Sequence, residues 1–157
     1  MAPDGVFDRR PTGMLLRFAH HHARAAANEA LRPLDLDLRH VGVLAVLSEH
    51  GPQTQRQLID AVELDKSSMV YVIDKLERQG LVSRERTPAD RRAYAVTVSD
   101  HGRGQLKKAI SIATEVMDEL LESFTADDVR QLNDMLRRII SNSRERRQRL
   151  ADGERPT

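Results

Sequence analysis

Residues 54–102 read TQRQLIDAVELDKSSMVYVIDKLERQGLVSRERTPADRRAYAVTVSDHG, and the period of this stretch changes partway along. Thr54 and Gln57 stand at capping-box spacing, where hydroxyl and amide close on each other's backbone donors. They open a short helix carrying Leu58, Ile59 and Val62. Leu64-Asp65 breaks it, and Asp65 is a good N-cap for a further helix that ends at Gly80. Two short helices joined by a turn of a few residues make a helix-turn-helix candidate. After Gly80 the helical period gives way to two β-rich runs, Leu81 to Arg86 and Ala93 to Val98, around Thr-Pro-Ala-Asp-Arg-Arg. That pattern predicts a two-stranded hairpin with a charged tip.

On the N-terminal side, apolar residues from about Gly13 to Ala30 recur at helical spacing (Leu15, Leu16, Phe18, Ala19, Ala23, Ala26, Ala27, Ala30). Leu-Arg-Pro-Leu-Asp ends that helix. A second runs from about Asp37 to His50 and stops at Gly51-Pro52. On the C-terminal side, Ser99-Asp100 caps a long helix reaching Phe124, about 36 Å at 1.5 Å per residue. Thr125-Ala-Asp-Asp128 restarts a last helix, whose end, Arg144 to Arg149, is almost wholly charged and is expected to fray.

The expected fold is mainly α with a small two-stranded β-wing: a winged helix-turn-helix flanked by long N- and C-terminal dimerisation helices. The boundaries are a flexible arm at 1–12, an N-terminal dimerisation helix at 13–36, the winged domain at 37–99, C-terminal dimerisation helices at 100–150 and a disordered tail at 151–157. The apolar stripes of the outer helices exceed what so small a winged domain could cover, and a leftover stripe is economically covered by a second copy. Leu15, Leu16, Leu120, Leu121, Leu132, Leu136 and Ile139 are the expected interface of a homodimer.

At 157 residues the chain has room for one domain or two. Its 25 Lys and Arg against 24 Asp and Glu leave a net charge of +1, so electrostatic binding must come from local patches. The lack of cysteine excludes a disulfide framework, a Cys-ligated metal and a thiol redox sensor. No apolar run is long enough for a membrane span, and the N-terminus has no secretion-signal pattern. A cytoplasmic protein with no membrane partner is expected. There is no Gly-rich phosphate loop, no Ser or Cys nucleophile motif and no His-Glu-x-x-His pattern, so no enzyme and no cofactor is expected.

From Leu38 to Gln105 the chain resembles the MarR family of bacterial transcription regulators. The resemblance is carried by Leu-Glu-Arg-Gln-Gly-Leu-Val-Ser-Arg at 76–84, by Asp90-Arg91-Arg92, and by the stretch from Thr97 to Gly102. Val98-Ser99 stands where the family usually has Leu-Thr, keeping the apolar and capping roles. The resemblance implies a homodimer with intertwined terminal helices and two winged lobes on pseudo-palindromic double-stranded DNA. It also implies small ligands that bind between the dimer helices and the lobe and weaken DNA binding. Arg91 would be the minor-groove probe, and Asp90 would brace Arg92.

In the helix from Asp65 to Gln79, Met69, Val72, Ile73 and Leu76 share one side and are expected to pack inward. Ser67, Val70, Tyr71, Asp74 and Arg78 lie opposite, with Lys66 and Lys75 at the margins. Ser67 and Ser68 occupy the first turn, where hydroxyls and free N–H groups can meet phosphate or base edges. Lys66 can reach guanine, and Val70 a thymine methyl. The candidate DNA contacts are Lys66, Ser67, Ser68, Val70, Tyr71, Lys75, Arg84, Arg86, Asp90, Arg91 and Arg92. Equally, the serines can simply cap the helix and Tyr71 can pack under the wing. Asp74 is expected to orient a neighbouring arginine. Residues 65–98 hold seven Lys or Arg and five Asp or Glu, so affinity must come from the placement of charge, not its excess.

His20, His21 and His22 point about 100° apart on one helix, so they cannot all hold one ion. A zinc site would need His40 or Glu29 and carboxylates such as Glu115, Asp118 and Glu119, so no metal is assigned. His20, His22 and His40 are candidates for lining an effector pocket, or are plain polar-face residues. The function these readings support is a repressor that binds promoter DNA as a homodimer under the control of a small-molecule effector. The alternatives are a zinc-dependent sensor of the same fold and a winged protein-interaction module.

Overall fold

The computed structural model describes residues 11–86 and 94–153. Among them α1 (Thr12–Ala30) is followed by a 3-10 turn, Arg32–Leu34, and by α2 (Leu38–His50), β1 (Gln53–Thr54), α3 (Gln55–Val62) and α4 (Lys66–Arg78). The strands β2 (Val82–Arg86) and β3 (Tyr94–Val98) and the helices α5 (Asp100–Leu120) and α6 (Ala126–Ala151) complete the order. Residues 1–10, and with them nearly all of the expected arm, lie outside the described residues, as do residues 87–93 at the expected wing tip and 154–157 of the expected tail.

Local chemistry sets most boundaries. The Asp37 carboxylate accepts the Arg39 and His40 N–H groups at the start of α2. Thr54 and Gln57 close the expected capping box on α3, and Thr125 with Asp128 closes another on α6. Each satisfies donors that a bare helix end leaves open. Helix α4 ends in a Schellman motif: Gly80 N–H reaches Glu77 O at 2.9 Å, and Leu81 N–H reaches Leu76 O at 2.9 Å. Gly80 takes φ +69° there, a left-handed conformation that glycine adopts without steric cost.

Among the described residues the structure differs from the sequence reading in three places. The sheet has three strands in the order β1-β3-β2, because Gln53 pairs with Val96 and Thr54 with Ala95. Helix α5 stops at Leu120, short of Phe124, since Thr125 must be extended (φ −73°, ψ 160°) to cap the next helix. Helix α6 continues through its arginine-rich end to Ala151. The N-terminal helix ends at Ala30, where the sequence reading ends it, and the 3-10 turn that follows closes at Asp35 in the left-handed region (φ 52°).

The chain divides into two compact units after Asp118. In the first, Leu44 and Leu47 of α2, Leu58 of α3, the α4 face Met69, Val72, Ile73 and Leu76, and Val96 of β3 are buried together. Burial of each such side chain is worth about 1.5–3 kcal/mol relative to exposure, so the inward face of α4 is fixed and its outward face follows. Leu106 and Ala109 of α5 belong to the same core. The core of the first unit therefore includes the start of α5. In the second unit α6 has no buried residue. Leu132, Met135, Ile139 and Ile140 are all exposed along it. No helix among the described residues is long and apolar enough to cross a membrane.

Candidate nucleic-acid interface

With one face of α4 locked into the core, the opposite face presents Lys66, Ser67, Val70 and Tyr71 to solvent. Tyr71 is 52% exposed, a large side chain left outward on a helix that could have carried a lysine there. Ser68 is half-buried and is held by the helix cap: its N–H and Oγ donate to the carboxylate of the N-cap, Asp65, at 2.9 and 2.6 Å. These bonds from Ser68 hold the Asp65 carboxyl below its ordinary range. Tyr71 lies 6.0 Å from the Arg39 guanidinium, a cation–π contact with the start of α2.

Two of the expected DNA-contacting cations are occupied by carboxylates of this chain. Lys75 Nζ donates to Asp35 Oδ1 at 2.7 Å. Arg84 is bound by both Asp74 and Glu77. Asp74 thus has the arginine partner expected of it. The reason is strand register: Arg84 pairs with Val96 and Val82 with Val98, so Arg84 lies on the inward face of β2 beside α4. Burial there works against the charge of Arg84, yet the two carboxylates hold its proton more tightly than usual. Arg86 is exposed, its guanidinium 5.9 Å from the Tyr94 ring across the hairpin. Asp90, Arg91 and Arg92 lie outside the described residues.

His20, His21 and His22 are all exposed on α1. His22 stacks on Phe18 at 6.5 Å and meets His21 edge-on at 5.3 Å. His40 is different in kind, only 1% exposed. Its Nδ1 accepts the Asp37 N–H at 3.1 Å and lies 2.8 Å from Asp37 Oδ1. It completes the α2 capping box and is buried in it. Among the described residues no group of three or more His, Asp or Glu is placed to hold a metal ion.

Burial is the largest single influence on Asp37 and favours its neutral form. The bonds with His40 and Arg39 outweigh it and hold the carboxyl far below the usual range. A carboxyl depressed in the folded state stabilises the fold above its unfolded pKa, about 3.9, and loses that contribution as pH falls through the folded value. Asp37→Asn is therefore expected to cost about 1–2 kcal/mol at pH 7 and less in acid. Denaturant titrations at pH 7 and pH 3 check this; the same gap at both would refute the charge argument.

The sequence reading did not find Asp35, Arg39, Glu77 and Gln79, which surround the α4 face. For Arg84 a signal existed, since strand alternation puts it on the Val82 face. For Asp35 there was none, because its partners are 40 and 44 residues away.

A family model described as MarR family matches residues 34–93. A transcriptional regulator (MarR family) from Rhodococcus sp. RHA1 is 30% identical, covering 81% of this chain and 90% of that one, with a TM-score of 0.74. A mutant of MarR from E. coli, solved in complex with operator DNA, is 24% identical over 87% of this chain and 99% of its own, with a TM-score of 0.75. BpsR from Bordetella bronchiseptica, solved in work on regulation of its DNA binding by 6-hydroxynicotinic acid, is 22% identical over 85% of this chain and 94% of its own, with a TM-score of 0.76. The last two share the fold. With the Rhodococcus regulator matched over most of both chains, this chain belongs to the MarR family of transcriptional regulators.

Proposed function

We propose that the chain is a homodimeric repressor that binds pseudo-palindromic promoter DNA in the cytoplasm and releases it in response to a small-molecule effector. The observation that carries this reading is the outward face of α4. Ser67 in the first turn, with Val70 and Tyr71 above it, is exposed on a helix whose other face is wholly buried. A helix held this way fits the major groove, with Ser67 and Lys66 toward base edges and Val70 against a thymine methyl. The wing supplies Arg86, Asp90, Arg91 and Arg92. Arg91 is the residue assigned to the minor groove, where a narrow A·T tract strengthens its attraction.

Repression would follow from occluding polymerase. An effector would act on the separation of the two recognition helices, because paired major-groove contacts require about one helical turn, near 34 Å. The candidate effector contacts are His20 and His22 on α1 and His40 on α2.

The test is selection of binding sites from a random duplex pool, followed by affinity measurement on the enriched site. An inverted repeat with half-sites about ten base pairs apart is expected. No enrichment in low salt, with or without zinc, would favour the protein-interaction module. On the selected site, Arg91→Ala is expected to weaken binding about tenfold or more, taking one groove contact as worth about 1–3 kcal/mol. Unchanged affinity, with dimer mass and helix content intact, would remove the minor-groove assignment.

A further inference from the structure

Tyr71, Lys75 and Gln79 recur every fourth residue and so form one stripe along α4. The connection between α1 and α2 lies across this stripe. Asp35 Oδ1 accepts from Lys75 Nζ at 2.7 Å, and Asp35 Oδ2 accepts from Gln79 Nε2 at 2.9 Å. The backbone carbonyl of Asp35 takes a second contact from Gln79 at 3.3 Å. Asp35 sits in the left-handed region at the end of the 3-10 turn, where the chain turns back toward α2. The Lys75 side chain is 19% exposed and that of Asp35 75%, so most of the lysine stem is covered while the carboxylate that meets its ammonium stands in solvent.

An exposed pair of this kind adds little to stability. Its effect on binding is larger, for a reason of charge. Lys75 is four residues, about 6 Å along the helix axis, from Tyr71. A lysine that close to a groove-entering residue has the reach to meet a flanking phosphate. Asp35 offers it the same ligand chemistry, an anionic oxygen, inside the protein. A lysine neutralised in this way releases no counterion from DNA and adds nothing to the salt-dependent part of affinity.

We propose that Asp35 withholds Lys75 from DNA phosphate, acting as an internal competitor that suppresses non-specific binding and leaves affinity to depend on base contacts. This rests on the DNA-binding reading above. The bond from Lys75 also keeps the Asp35 carboxyl below its ordinary range.

The test is a double-mutant cycle on a mixed-sequence duplex of about 30 base pairs, with log affinity measured against log salt. Asn tolerates the left-handed conformation, so Asp35→Asn removes the charge and leaves the turn intact. It is expected to steepen the salt slope by about 0.9 for each Lys75 released and to raise low-salt affinity several-fold. In a Lys75→Gln background the same substitution is expected to leave the slope unchanged, and Lys75→Gln alone is expected to leave the wild-type slope unchanged. An equal slope change in both backgrounds, or none in either, overturns the inference while the DNA-binding reading stands. A wild-type protein that binds no duplex at any salt overturns both.

Discussion

Gly102→Ala is expected to destabilise the winged unit by about 3 kcal/mol or more, the upper range for forcing an extra carbon into a packed site. A Cβ on Gly102 would lie 2.1 Å from the backbone carbonyl oxygen of Leu81 and 2.9 Å from Val98 Cγ2. The first of these cannot be relieved by a rotamer change, because it is backbone, and that oxygen already accepts the Ser99 N–H at 3.0 Å. Ser99 Oγ fixes the same junction from the other side, donating to Gly80 O at 2.7 Å and accepting the Gly102 N–H at 3.0 Å. Moving α5 outward would break all three bonds and pull Leu106 and Ala109 from the core. Gly104 is two residues along the same helix, with nothing within 4 Å of a Cβ built there. Gly104→Ala is expected to stabilise by about 0.4–1 kcal/mol, the ordinary helix-interior gain. Thermal unfolding of both variants gives the comparison, with melting expected to fall by at least ~6–12 °C for Gly102→Ala. Equal shifts of the same sign would refute the close-approach argument.

Leu120→Glu is expected to convert the proposed dimer to a species of 17.8 kDa and to weaken operator binding by about 10²–10⁴, the factor gained when two linked sites bind together. Helix α6 is 26 residues long with none buried. Leu120, Phe124, Leu132 and Met135 are 37–55% exposed in the single chain, and Leu132, Leu136 and Ile139 recur at helical spacing. A helix with an apolar stripe and no core of its own depends on packing against something else. A second copy supplies an equivalent stripe by symmetry. A glutamate at Leu120 would put an unpaired carboxylate into that seam, which is costly wherever water is excluded. Leu132→Glu is expected to act the same way from α6. Sedimentation at micromolar concentration checks both, and a normal dimer mass in both variants would sink the interface assignment. The glycine substitution acts on folding of the first unit, the leucine substitutions on association.

Much of this molecule is written in interactions that span three or four residues. Thr54 with Gln57, Asp65 with Ser68, and Thr125 with Asp128 are caps whose partners are near neighbours, so residue type and spacing suffice to place them. The inward face of α4 follows from the recurrence of Met69, Val72, Ile73 and Leu76, and the hairpin from the switch to strand-like residues after Gly80. By itself the sequence determined the helix order, the inward side of α4, and a motif set, from Leu76 through the wing, specific enough to resemble one family.

Tertiary structure decided what depends on groups far apart along the chain. Strand β1 is two residues long, too short for any period, and exists because β3 offers Val96 and Ala95 as partners. Lys75 and Arg84 read as free cations near a DNA face until Asp35, Asp74 and Glu77 are brought against them. His40 reads as a polar-face histidine until the core closes over it. The close approach of α5 to Leu81, which makes Gly102 irreplaceable and Gly104 ordinary, has no local signature. In each case the deciding energy belongs to a contact between segments, and a charge or a glycine carries no mark of which distant atom will meet it once the core has packed.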